Sequence, residues 1–162
     1  MLLPVLLQLQ PAPAAAPCPA TPVAAPAELV GWSPQTHVTA TASPPAALPV
    51  GRGVLATLLP AASVNLAVPT LRPPAPGSSA AVFAFTVATA GRYRVALGES
   101  VWVDVAANGS AISSVAHGHG PACSPVRKMV DFDLRPGSYR LQIVGSEQQT
   151  LSLEIVRLAP AT

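Results

Sequence analysis

The chain has 162 residues, half of them hydrophobic, 10% charged and 4% aromatic, with a formal net charge of +2. That length allows one domain of roughly 100–150 residues with a true core. The basic residues are scattered, with Arg127-Lys128 the only adjacent pair, which argues against the basic stripe that nucleic-acid binding needs. Alanine, valine and leucine must build the core around a few large anchors: Phe83, Phe85, Tyr93, Trp102, Phe132 and Tyr139.

Met1–Gln10 is a short apolar run followed by a Pro/Ala tract with small residues at Ala14-Ala15-Ala16. It resembles the back half of a secretory signal peptide without a basic n-region. Residues 1–16 are therefore the expected signal segment, and the expected location is periplasmic or secreted. The run is too short to cross a bilayer, so no integral membrane span is expected. Residues 17–50 form a Pro/Ala-rich arm, whose prolines oppose both helix and central strand. Within it, Glu28-Leu29-Val30-Gly31-Trp32 is an apolar cluster expected to dock on the folded body.

The folded domain is expected over 51–162. Val54–Leu59 and Val64–Val68 read as short strands closed by Pro60 and Pro69. An exposed loop, Arg72–Gly77, precedes strands at Ala80–Val87 and Arg92–Leu97. Val101, Val103 and Val105 alternate with Trp102 and Asp104, a period-two pattern. Asn108-Gly109 is a two-residue hairpin signal, with Ser110–Ala116 returning as partner. Residues 117–127 read as loop. Met129–Leu134, Tyr139–Val144 and Leu151–Leu158 complete eight or nine strands. Gly91-Arg92-Tyr93-Arg94-Val95-Ala96-Leu97 recurs as Gly137-Ser138-Tyr139-Arg140-Leu141-Gln142-Ile143, each copy a glycine turn opening an alternating strand. The expected fold is an all-β, antiparallel two-sheet sandwich of jelly-roll type.

The candidate chemistry centres on His117-Gly118-His119-Gly120-Pro121-Ala122-Cys123. In an extended segment His117 and His119 point the same way, and two imidazoles at that spacing can share a Zn, Cu, Ni or Fe ion. A third ligand would come from His37, from Cys123 as a free thiolate, or from Asp131. The alternative is a polar glycine-rich turn whose imidazoles cap backbone carbonyls. Cys123 has a competing role, because two cysteines in a small exported domain usually pair; a Cys18–Cys123 bridge would tie the arm to the histidine loop.

Continuing the hairpin register places Trp102 opposite Val115 and Ser100 opposite His117, so Trp102, Asp104, Val115 and His117 share a face. An exposed Trp beside an Asp is a sugar-stacking platform with a hydrogen-bonding neighbour. The competing expectation is that the arm covers Trp102 and Val115, with Trp32 as the lid. In Arg127–Asp133, alternation sends Val130, Phe132 and Leu134 into the core. It leaves Arg127, Asp131 and Asp133 as a surface ion cluster or as supports for the histidine loop. No G-x-S-x-G, phosphate loop, H-E-x-x-H or C-x-x-C is present.

Two resemblances follow. The Phe–Gly–Tyr repeats from Phe85 to Leu158 resemble the pre-peptidase C-terminal type of β-sandwich of secreted bacterial proteins. Ala116–Cys123, Arg127–Phe132 and Pro136-Gly137-x-Tyr139 are similar to short exported alphaproteobacterial proteins commonly labelled homogentisate 1,2-dioxygenase. That enzyme is a larger cupin whose iron is held by two His and a carboxylate. The resemblance, over about the last hundred residues, implies at most a metal-dependent oxygenase role for His117, His119 and a carboxylate such as Asp131. Three functions remain in view: a non-catalytic binding or structural domain for an unidentified protein or small-molecule ligand, a small metalloprotein, and a carbohydrate-binding module using Trp102 and Asp104.

Overall fold

The computed structural model describes residues 14–160; most of the expected signal segment, residues 1–13, lies outside them. The strands are β1 (Thr36–Thr39), β2 (Val54–Thr57), β3 (Leu59–Pro60), β4 (Ser79–Val87), β5 (Gly91–Leu97), β6 (Trp102–Ala107), β7 (Ser110–Ile112), β8 (Ala116–Gly118), β9 (Lys128–Leu134), β10 (Gly137–Ser146) and β11 (Thr150–Arg157). They form a two-sheet sandwich. Sheet A runs β1-β2-β11-β5-β9-β8 and sheet B runs β3-β4-β10-β6-β7. All pairings are antiparallel except β1 with β2. Successive strands β4, β5 and β6, and again β9, β10 and β11, alternate between sheets, as in a jelly roll.

The alternation in sequence is the alternation in burial. Val95, Val130, Phe132 and Ile155 on sheet A face Phe83, Val105, Leu141 and Ile143 on sheet B in one continuous core. Apolar side chains every second residue bury one face of each strand, and the large anchors Phe83 and Phe132 fill space that alanine and valine cannot. The repeated glycine–tyrosine phrase places one copy in each sheet. In both, the tyrosine hydroxyl donates to the carbonyl four residues earlier: Tyr93 to Thr89 at 2.7 Å and Tyr139 to Arg135 at 2.8 Å. The Asn108-Gly109 hairpin forms in the expected register, with φ of 51° and 76° at its two turn residues, the left-handed pair of a type I′ turn.

Three expectations change. The arm is part of the sandwich: it supplies β1, and Ala47 and Val50 bridge to Ala84 and Ile155. β1 fits because it lies in a proline-free stretch at a sheet edge. Val64–Val68 is not a strand. Its Ala67 and Val68 N–H groups donate to Gln142 Oε1 at 2.7 and 3.1 Å, and Gln142 Nε2 donates back to Val68 O at 3.0 Å. A buried side-chain amide thus takes the place of a neighbouring strand and pins this loop on the outer face of sheet B. Finally, Ser110–Ala116 does not return as one strand. β7 stops at Ile112, and the chain crosses to sheet A, where β8 pairs with β9.

The Glu28–Trp32 cluster docks as expected. Leu29 and Trp32 are buried with Ala96, Val126 and Val156 on the outer face of sheet A. The backbone lies so close that a Cβ on Gly31 would collide with the Gly51 carbonyl, and Gly53 N–H donates to Gly31 O at 2.6 Å.

Candidate functional site

The crossing of the chain from sheet B to sheet A creates the site. Because β7 covers only Val105–Ala107 of β6, the first half of β6 is paired with β10 on one side and has no strand on the other. Ser113–Val115 step away, and Val115 N–H donates to Asp131 O at 2.8 Å as the chain joins sheet A. The sandwich is left open along this edge. A cleft of 460 Å³ lies there, rimmed by Trp102, Asp104, Ser113, Ser114, His117 and Lys128, with Val103, Val130 and Phe132 beneath.

Trp102 stands at the start of β6 and points outward, as period-two alternation with the buried Val103 requires. It is 46% exposed. Its indole Nε1 donates to Asp104 Oδ2 at 2.8 Å, and the same oxygen accepts Gln142 Nε2 at 3.1 Å. The ring orientation is thereby tied to a buried side chain. A second depression, of 360 Å³, lies between Trp102 and the Leu71–Ala75 loop, so the indole forms a ledge between two hollows.

Lys128 begins β9 with the inward parity of Val130 and Phe132. At the open end of the sandwich that direction leads to the cleft. Its Nζ donates to Val101 O at 2.7 Å and lies 5.7 Å from the Trp102 ring centroid, within cation–π range. Burial pushes its pKa below the usual lysine value, while the neighbouring Asp104 carboxylate acts in the opposite sense.

The sequence-predicted residues divide into two groups. Trp102, Asp104 and His117 meet at this cleft, although by a different route than expected: His117 pairs with Val130 in sheet A and not with Ser100. The expected lid is absent. Trp32 is buried on sheet A, and Trp102 and Val115 are each 46% exposed. Lys128 is the residue that strand alternation misses, since parity alone assigns it to the core; only its place at the strand's first position hints at an opening.

The proposed third metal ligands are dispersed. His37 lies in β1, at the opposite edge of sheet A from β8; five strand spacings of about 4.8 Å put them roughly 24 Å apart. Cys123 is bonded to Cys18, so it is no thiolate. Asp131 points away from His117 on the outer face of sheet A, where Arg94 Nε and Nη2 donate to its two oxygens at 2.7 and 2.8 Å. His119 Nδ1 lies 3.2 Å from Arg127 O, the carbonyl-capping role expected of a polar turn. Among the described residues no group of three His, Cys, Asp or Glu side chains is placed to hold a metal.

The expected surface cluster of Arg127, Asp131 and Asp133 does not form: the two aspartates take other partners, and Asp131 is buried. Asp131 pairs with Arg94, which also meets Glu28 of the arm, and Asp133 pairs with Arg92 at 3.0 Å. Strand β5 supplies the arginines, because pairing with β9 sets Arg94 opposite Asp131 and Arg92 opposite Asp133; Arg127 takes no part in these pairs.

No helix among the described residues is long and apolar enough to cross a membrane. No protein-family profile matches the chain, and no curated protein matches it.

Proposed function

We propose that the protein is an exported, non-catalytic binding domain whose recognition surface is the cleft beside Trp102, and that its ligands are saccharides. One observation carries the reading: an indole held in place by Asp104 and Gln142 yet left nearly half exposed at the only open stretch of β6. A core Trp would be covered; a merely solvent-facing one would have no reason to be anchored through a fully buried amide. A flat aromatic face suits the C–H face of a pyranose ring. Ser113, Ser114, His117 and Lys128 supply hydrogen-bonding groups around it. The cleft volume falls within the range of about 300–1,000 Å³ usual for small-ligand sites.

Export is supported by the Cys18–Cys123 bond, since such bonds persist in oxidising compartments, and by the signal-like start. The resemblance to the secreted pre-peptidase type of sandwich agrees with it. The oxygenase reading has less support, because the carboxylate it would need beside His117 and His119 is engaged by Arg94 on another face.

Binding to a glycan array, repeated with Trp102→Ala, tests the proposal. Loss of at least tenfold in affinity with an unchanged melting temperature is the expected result. Wild-type protein that binds no glycan, or a variant that binds equally well, overturns it.

A further inference from the structure

We infer that the cleft selects acidic saccharides, with the Lys128 ammonium as the group that recognises a sugar carboxylate while the Trp102 ring carries the pyranose face. The inference rests on the saccharide reading above and adds the charge of the ligand to it.

An ammonium has three protons to donate. Lys128 uses one on Val101 O. Among the described residues no carboxylate lies within ion-pair distance of it. Asp104 is the nearby acid, and its Oδ2 is already shared by the Trp102 indole and the Gln142 amide. Every other strong cation of sheet A near an acid is paired: Arg92 with Asp133, and Arg94 with Asp131 and Glu28. Lys128 differs in being half-buried and without such a partner, and its lowered pKa reports the desolvation it bears. A partly desolvated charge gains most from a counter-charge that arrives with a ligand.

The surroundings fix what kind of anion that is. A bare inorganic anion has no use for an exposed indole at 5.7 Å from the ammonium. A fully apolar acid has no use for the Ser113 and Ser114 hydroxyls and the His117 imidazole on the same rim. A pyranose bearing a carboxylate uses all three: ring C–H groups on Trp102, hydroxyls on the serines and histidine, and the carboxylate on Lys128.

The test titrates the intact, disulfide-bonded protein with matched pairs of oligosaccharides by calorimetry. The pairs are oligomers of galacturonate, glucuronate and mannuronate and their carboxyl-reduced neutral counterparts. At least one acidic member is expected to bind tenfold or more tighter than its neutral twin at low salt, with the preference shrinking as salt is raised. Lys128→Met should abolish the preference, bringing each acidic member down to the affinity of its neutral twin in the same variant, and Lys128→Arg should retain it, which separates recognition from a folding defect. Equal affinity within every pair, or a preference untouched by Lys128→Met, overturns the acidic-ligand inference and leaves the saccharide reading standing. No binding by any member of any pair removes both.

Discussion

Single side chains carry consequences that strand periodicity does not announce. Glu154, in β11, is fully buried on the outer face of sheet A under the docked arm. Its Oε1 accepts the Gly31 N–H at 3.2 Å, and Oε2 has no partner among the described residues. Burial raises its pKa above the ordinary glutamate value, with the Gly31 hydrogen bond acting the other way. A raised folded-state pKa means that the folded protein holds the proton more tightly than the unfolded chain. The associated stability is therefore fully present below the ordinary carboxylate range and is lost as pH rises through the raised value. Glu154→Gln keeps an acceptor for Gly31 and removes the charge. Thermal melts should show the variant more stable than wild type at pH 8 and close to it at pH 4; parallel pH profiles would refute the assignment. In the sequence, Glu154 reads as one more polar residue in an alternating strand. Only the arm above it, brought from 123 positions earlier in the chain, makes it a buried acid.

Among the elements, the two glycine–tyrosine strands show how a repeat in sequence becomes a repeat in structure. Gly91 and Gly137 have nearly the same φ, 159° and 157°, and each tyrosine folds back over its turn to the carbonyl four residues upstream. Tyr139 also stacks on Phe85 with ring centroids 5.5 Å apart. Tyr139→Phe preserves that stacking and removes only the hydroxyl, which both donates to Arg135 O and accepts Arg135 N–H. The expected loss, read by chemical denaturation, is about 0.5–1.5 kcal/mol; an unchanged midpoint would mean that the turn does not depend on the hydroxyl. The hairpin after β6 was legible down to its register over Val105–Ala107, because Asn108-Gly109 dictates local geometry. Its departure at Ser113 was not, because nothing within the hairpin records that β9 offers a competing edge.

For the molecule as a whole, the Cys18–Cys123 bond joins residues 105 positions apart and ties the arm to the loop that follows His119. On the chain-entropy account, closing a loop of that length contributes about 4–5 kcal/mol by restricting the unfolded chain. The Cys18→Ser/Cys123→Ser double variant should lose stability of that order in urea unfolding, matching wild type under reducing conditions. Equal stability of the oxidised and reduced proteins would show that the bond constrains little.

The sequence by itself determined the class: alternating apolar residues, glycine turns and a hairpin dipeptide act over two to four positions, so strands and their buried faces follow from neighbours along the chain. It also made the cysteine pair readable, since two thiols offer one connectivity. What only the tertiary structure decided are the long-range pairings: β7 and β8 in different sheets, Trp32 buried away from Trp102, Asp131 turned to Arg94, and His37 at the far edge from His117. Each results from which edge or face is free once the core has closed, a property of the assembled sheets that no local spacing encodes. The open edge beside Trp102, and the half-buried Lys128 within it, exist for the same reason.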